Sequence, residues 1–182
     1  MRTIIIILTV LAVVIFFFIT RSPSPVDKIE TPAFGENGVF RPDPSNATFI
    51  FDDGPITLSA GRNERKPTSG SALAEETVLL DKFAYGDINA DVKEDTVLFL
   101  ARYGSGSGTF IYLAAFISGP ITYRGSKAVF IGDRIAPQSI SINGEIVTAK
   151  YLDRGSDDAF AVEPTVPTTK QFIYRDGEFQ EK

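Results

Sequence analysis

An uncharged apolar run, TIIIILTVLAVVIFFFIT from Thr3 to Thr20, constrains this chain more than any other feature. As a helix its 18 residues rise about 27 Å, which is close to the hydrocarbon thickness of a bilayer. A cleaved signal peptide is one alternative, but bulky and charged residues follow the run where a peptidase needs small ones. A helix in a soluble core is another. The sequence predicts a transmembrane signal anchor over residues 1–21.

Basic residues lie on both sides of this run, with Arg2 before it and Arg21 and Lys28 after it. The positive-inside bias is therefore nearly balanced. A single anchor followed by the rest of the chain most simply leaves the body outside. We expect a single-pass protein of the cell membrane whose C-terminal domain lies outside the cytoplasm.

The composition excludes several kinds of chemistry. The chain has no cysteine and no histidine, which removes thiol nucleophiles, disulfides, His-dependent triads and the commonest transition-metal ligand. Its net charge of −5 disfavours a nucleic-acid partner, because phosphate binding relies on clustered Lys and Arg.

Residues 22–45 hold five of the eleven prolines and show no periodic apolar face. This pattern predicts a Pro-rich linker with nothing to bury.

Turn signals indicate hairpins in the body, residues 46–182. Three dipeptides, Asp53-Gly54, Asn143-Gly144 and Asp176-Gly177, each interrupt apolar or alternating runs. With Asn143 and Gly144 as the central turn residues, Ile140 pairs with Val147, Ile142 with Glu145 and Gln138 with Ala149. This register gives the hairpin one core-facing side, made of Ile140, Ile142, Val147, Ala149 and Tyr151.

Two near-continuous apolar runs, TVLFLARY at 96–103 and TFIYLAAFIS at 109–118, flank the glycine-rich GSGSG. Such runs are typical of strands covered on both faces, and we expect them to form a central hairpin, with a helix over 110–117 as the alternative. The stretch 70–85 is ambiguous between helix and strand, and we favour a strand after Glu76. The fold class predicted is mainly β: an N-terminal transmembrane helix plus one mostly antiparallel β domain built of hairpins.

The stretch GDINADVKED at 86–95 has the spacing of a calcium loop. Calcium takes about six to eight oxygen ligands, which a loop supplies economically from every second residue. Here the candidate ligands are the side chains of Asp87, Asn89, Asp91 and Asp95 and the backbone carbonyl of Lys93. The alternative is a solvated acidic connection between two strands, since Asp and Asn are ordinary turn residues.

The twelfth and sixth positions of this stretch indicate which known type of calcium loop it resembles. An EF-hand does not fit, because its twelfth position is Leu98 where a bidentate glutamate belongs. The pattern resembles instead the calcium loops of integrin-type β-propeller repeats. The sixth position is Val92, where glycine is usual because the chain turns there with positive φ. We therefore expect weakened calcium affinity.

Three ordered motifs carry a resemblance to a known family. They are GDINAD at 86–91, GSGTFIYLA at 106–114 and GDRIAPQS at 132–139. With the segments around them, the chain resembles a family of small, N-terminally anchored bacterial envelope proteins, whose pattern reads GDxNxD, GSGTFxYLA and GDRIxPQS. The resemblance covers most of residues 85–175. It implies location and domain type rather than a reaction, and members commonly have glycine where Val92 stands.

From these observations we expect the protein to be a non-catalytic binding or structural module that is stabilised by calcium. Its expected partners are the membrane and an envelope protein or glycan. An accessory subunit of a membrane complex is a related hypothesis. The catalytic alternative is a small carboxylate-dependent hydrolase of envelope glycans, because paired carboxylates work without histidine. Nothing in the spacing singles out a pair among Glu76, Asp81, Asp157 and Asp158. GSGSG lacks the lysine of a phosphate loop, and the Asp133-Arg134 and Asp153-Arg154 steps are expected to be structural pairs.

Overall fold

The structure is a computed structural model that describes residues 38, 40–66, 74–104, 106, 108–159 and 161–182. The predicted anchor, residues 1–21, and most of the predicted linker lie outside these residues. Among the residues described, no helix combines the length and the apolar character needed to span a bilayer.

Almost all regular structure in the described ranges is β, and the paired strands are antiparallel, as predicted. A single turn of 3-10 helix, Pro44–Asn46, precedes the first strand. The strands are β1 (Thr48–Phe51), β2 (Gly54–Thr57), β3 (Arg62–Arg65), β4 (Glu75–Gly86), β5 (Asp95–Tyr103), β6 (Thr109–Ile117), β7 (Arg124–Gly125), β8 (Val129–Asp133), β9 (Ala136–Asn143), β10 (Ile146–Asp153), β11 (Val166–Arg175) and β12 (Glu178–Glu181).

The strands form three layers. The middle layer is a six-stranded sheet in the order β3-β4-β5-β6-β7, with β8 also paired to β6. On one face it packs against a four-stranded sheet in the order β12-β11-β10-β9. On the other face it packs against the β1-β2 hairpin. One hydrophobic core therefore lies on each side of the middle sheet.

The central hairpin explains this arrangement. Side chains on a strand alternate between faces, so a strand in the middle layer has to be apolar at nearly every position. On β5, Val97 and Phe99 lie in the core shared with the four-stranded sheet, while Leu98 and Leu100 lie in the core shared with the β1-β2 hairpin; all four are fully buried. The prediction of a doubly covered hairpin is confirmed for β5 and β6, and the helix alternative over 110–117 is wrong.

The Asn143-Gly144 hairpin forms with a different register from the one predicted. Ile140 pairs with Ala149 and Ile142 with Val147, because the turn residues are Gly144 and Glu145. Gly144 has a positive φ of 58° and no positive φ occurs at Glu145, the pattern of a type II′ turn with glycine first. Each pairing moves by two residues, which preserves the facing of the side chains. The predicted core face is therefore confirmed.

Of the other two predicted turns, one forms at the predicted dipeptide and the other is shifted by one residue. Asp176 and Gly177 form the β11-β12 turn, and both have positive φ, 53° and 89°, as a type I′ turn requires. In the first hairpin Gly54 already belongs to β2 and pairs with Phe51, so the turn residues are Asp52 and Asp53. Strand β4 starts at Glu75, which confirms the strand interpretation of that segment.

The end of the predicted linker packs on the domain. Pro42, Pro44 and Ser45 are buried, and the Pro42 carbonyl accepts a hydrogen bond of 3.2 Å from the Thr96 hydroxyl of β5. Asp43 caps the 3-10 helix by accepting from the Ser45 N–H at 2.9 Å. The expectation that this segment has nothing to bury is therefore wrong for Pro42, Pro44 and Ser45.

Candidate functional site

The connection between β4 and β5 folds around its own polar side chains. The Asp87 carboxylate accepts the backbone N–H groups of Asp91 at 3.1 Å and of Val92 at 2.8 Å. The Asn89 side-chain oxygen accepts the same Asp91 N–H at 3.1 Å. Side-chain oxygens two residues apart in sequence thus converge on one N–H group. This is a tight loop held by the residues whose spacing predicted it.

The turn predicted at the sixth position of the loop is present. Val92 has a φ of 67°, and Ala90 has a φ of 61°. A left-handed conformation costs a non-glycine residue on the order of 1–3 kcal/mol, and a β-branched residue tolerates it poorly. Val92 is also 92% exposed, so packing inside the domain does not offset this cost.

Asp95 fastens the loop to the neighbouring strand connection. Its side chain is buried at the start of β5, where one carboxylate oxygen accepts the Ile88 N–H at 3.0 Å and the other accepts the Ser118 N–H at 2.7 Å. Burial raises the pKa of Asp95, and the hydrogen bonds from Ser118 and Ile88 oppose that rise without reversing it. Both oxygens therefore already serve the fold.

Further contacts join the loop to Ser118 and Gly119, just after β6. The Asn89 amide donates to the Ser118 carbonyl at 3.2 Å, and the Lys93 ammonium donates to the Gly119 carbonyl at 2.9 Å. The Ser118 hydroxyl donates to Asp91 and lowers the pKa of that carboxyl. Ser118 is a residue that the sequence analysis missed. No motif spacing connects it to a loop that lies 27 positions earlier.

The predicted metal ligands are brought together only in part. Asp87 and Asn89 converge on one N–H, and Asp91 follows them in the same loop, where it accepts the Lys93 N–H at 3.0 Å. In the described part of the chain, no cluster of three or more His, Cys, Asp or Glu side chains that could hold a metal ion is found.

The donors nonetheless have the chemistry that calcium requires. Asp87, Asn89 and Asp91 offer carboxylate and amide oxygens, which are the hard ligands that calcium prefers. An ionised carboxylate has about four lone-pair sites, so an oxygen that accepts one N–H can still coordinate an ion. Asp95 is placed differently, because its two oxygens point to the backbone of Ile88 and Ser118.

A cleft of about 760 Å³ opens beside the loop. Lys93 and Arg124 bring positive charge to it, and Asp91 is its one carboxylate. Burial raises the pKa of the Tyr174 hydroxyl, and the nearby Arg124 charge opposes that rise. The residues that line the cleft are Asn89, Asp91, Lys93, Ile117, Ser118, Gly119, Pro120, Ile121, Thr122, Arg124, Tyr174 and Gly177.

Two further clefts have volumes of about 400 and 520 Å³, and each is also lined by one carboxylate, Glu75 and Asp176 respectively. The four acidic residues considered for a hydrolase line none of these three clefts. Glu76 pairs with Arg62 and Asp81 with Lys82, both on or beside β4. Asp158 accepts the Gly155 N–H at 2.8 Å in the turn after β10, where Asp157 also lies.

The two Asp-Arg steps hold the opposite end of the domain together. Asp133 accepts the Thr109 N–H at 2.9 Å and pairs with Arg134 at 3.1 Å, as expected of a structural pair. Arg154 departs from the expectation, because its guanidinium donates to the carbonyl oxygens of Val162 and Arg134 rather than to Asp153. This end also carries the glycine-rich connection between β5 and β6.

An ion-pair network next to the glycine-rich connection is a second feature that the sequence analysis did not identify. The Arg102 guanidinium makes two hydrogen bonds of 2.9 Å to the Asp53 carboxylate and lies 4.7 Å from the centre of the Phe51 ring. Arg65 pairs with Glu75 at 2.8 Å and with Asp53 at 3.2 Å.

In comparisons with known proteins, no model of a protein family, no curated protein and no solved structure matches this chain.

Proposed function

We propose that this chain is a membrane-anchored β domain outside the cytoplasm that serves as a non-catalytic binding or structural module of the bacterial cell envelope. The apolar run Thr3–Thr20 supplies the anchor. The partners proposed are the membrane and an envelope protein or glycan. The observation that carries the proposal is the loop of residues 87–95, whose polar side chains are pinned to Ser118 and Gly119 at one end of a three-layer domain.

The second part of the proposal is that this loop binds calcium. Asp87, Asn89 and Asp91 supply side-chain oxygens and Lys93 supplies its carbonyl. Asp95 holds the loop in place through its bonds from Ile88 and Ser118 instead of binding the ion. Weak affinity is sufficient outside the cell, where calcium-binding modules work with dissociation constants of about 10⁻⁴ to 10⁻³ M. When bound, the ion neutralises the loop carboxylates and stiffens the connection between β4 and β5.

Thermal unfolding of the full chain in detergent micelles tests the calcium site. At ten times its dissociation constant an ion stabilises the fold by about 1.4 kcal/mol, which raises the Tm by a few degrees relative to a sample with chelator. Asp87→Asn removes this shift because the loop loses one charged ligand. The control is Asp81→Asn, which changes an exposed carboxylate on β4 and keeps the shift. Identical melting curves with calcium and with chelator would contradict calcium binding, but they would not contradict the fold.

The location has its own test, which uses the absence of cysteine from the chain. Glu163 is exposed in the connection between β10 and β11, so Glu163→Cys gives a single accessible thiol. A membrane-impermeant maleimide is expected to label this variant in intact cells as fully as in lysed cells. Labelling that requires lysis would place the domain on the cytoplasmic side.

A further inference from the structure

Two aliphatic side chains project into solvent from neighbouring connections. Val92, in the loop between β4 and β5, is 92% exposed, and Ile121, in the connection between β6 and β7, is 97% exposed. They are the most exposed large hydrophobic residues in the described ranges; the next, Phe130, is 51% exposed. The bond from Lys93 to the Gly119 carbonyl holds the two connections side by side. Val92 and Ile121 together form the apolar tips.

Val92 is costly to the isolated domain. It combines a left-handed backbone, with φ at 67°, and a side chain that lies almost wholly in water. Glycine would adopt this backbone conformation without strain, and a polar side chain would be better solvated than valine. Strain at a residue without internal packing points to a contact outside the domain.

The position of the tips relative to the N-terminal segment identifies the contact. The Phe40 ring lies 6.1 Å from the ring of Tyr123, so the chain reaches the domain next to the connection that carries Ile121. Thr20, the end of the apolar run, is 20 residues before Phe40, which at full extension spans at most about 70 Å. A tether of this length keeps the domain near the surface to which it is anchored and so raises its effective concentration there. Even a weak contact with that surface is then populated.

We propose that the apolar tips, Val92 and Ile121, insert into the interfacial layer of the membrane to which the chain is anchored. Arg124 is exposed and lies beside the tips, where a long basic side chain can keep its stem in the interface and its charge at the headgroups. The loop carboxylates oppose anionic headgroups, so the contact rests on the apolar side chains and forms on zwitterionic lipid. This inference rests on the proposed anchor and adds an orientation, with the 87–95 loop facing the bilayer.

Tryptophan fluorescence tests the inference directly, because the chain contains no tryptophan. The variants are Val92→Trp, Ile121→Trp and, as matched control, Val162→Trp. Val162 is 45% exposed and lies at the opposite end of the domain, where Arg154 bonds to the carbonyls of both Val162 and Arg134. Each full-length variant is reconstituted into phosphatidylcholine vesicles, with and without lipid brominated in the acyl chains.

The expected result is blue-shifted emission for tryptophan at 92 and at 121, with at least twofold stronger quenching by brominated lipid than for tryptophan at 162. If the chain does not float with the vesicles, the anchor is wrong and this inference falls with it. If the chain floats and all three residues are quenched alike, the tips are not in lipid, although the anchor stands. A blue shift without quenching indicates a protein contact, such as a second copy, and overturns the inference. Ile121→Trp decides alone if Val92→Trp disturbs its loop.

Discussion

Two of the five non-glycine residues with positive φ in the described ranges lie in the loop between β4 and β5. Ala90 and Val92 both adopt left-handed conformations within three positions, and the side chains of Asp87 and Asn89 hold them there by accepting the N–H groups of Asp91 and Val92. The loop conformation is thus set by hydrogen bonds to carboxylate and amide oxygens. The residue at its sixth position fits that conformation poorly.

Val92→Gly is expected to stabilise the domain by about 1 kcal/mol, because the strain relieved exceeds the entropy that glycine adds to the unfolded chain. Urea unfolding monitored by tyrosine fluorescence measures the change. Val162→Gly is the control, since Val162 does not have a positive φ and the same change there destabilises by up to about 1 kcal/mol. Equal losses of stability in both variants would show that Val92 is unstrained.

Strand β5 is the element on which the three layers depend. Its side chains alternate between two cores, with Phe99 directed to the four-stranded sheet and Leu100 to the β1-β2 hairpin. In an ordinary two-layer sandwich one of these two positions faces water. Here both are fully buried.

Phe99→Ala and Leu100→Ala are therefore both expected to be strongly destabilising, by about 3–5 and about 2–5 kcal/mol respectively. Gln171→Ala, on the exposed face of β11 next to the buried Phe172, is expected to change the free energy of unfolding by less than about 0.5 kcal/mol. Chemical denaturation of the three variants provides the comparison. A small effect at Leu100 would mean that the β1-β2 hairpin does not cover the middle sheet.

The elements that were predictable from sequence are those specified by local patterns. The continuous apolar runs of β5 and β6 identified doubly covered strands, and the Asp176-Gly177 turn formed where the dipeptide placed it. The register after Asn143 was wrong because Gly144 can serve as either central residue of a two-residue turn, depending on the turn type. The contacts of Ser118 with the loop, and of Arg102 with Asp53, depend on strand pairing between distant segments, which one sequence does not reveal.

At the scale of the whole molecule, an ion pair joins two of the layers. Asp53 lies in the β1-β2 turn and Arg102 lies near the end of β5, so their bidentate contact connects the hairpin to the middle sheet. The Arg102 side chain is only 16% exposed, whereas the Asp53 side chain is 46% exposed. Hydrogen bonding from Arg102 lowers the pKa of Asp53.

This lowered pKa predicts acid sensitivity. Because the folded-state pKa of Asp53 lies below its value in the unfolded chain, the contribution is present above about pH 3.9 and is lost as the pH falls through the folded-state value. Asp53→Asn should cost about 1 kcal/mol at pH 7, since much of the pair is solvent-screened, and flatten the decline of stability in acid. Urea midpoints between pH 2 and pH 7 measure both effects. The control is Asp52→Asn, at a side chain that is 90% exposed; an unchanged acid slope in Asp53→Asn would contradict the assignment.

The strand order of the middle sheet has a consequence for synthesis. From β3 to β7 the order in space follows the order along the chain, so each strand after β3 finds its neighbour already present as the chain emerges. The strands of the covering sheet, β9 to β12, come last. Until residue 136 and those after it have emerged, Phe99 and Leu113 lack the four-stranded sheet that covers their face of the middle sheet. The unfinished protein therefore exposes a hydrophobic surface that chaperones or other unfinished chains can bind.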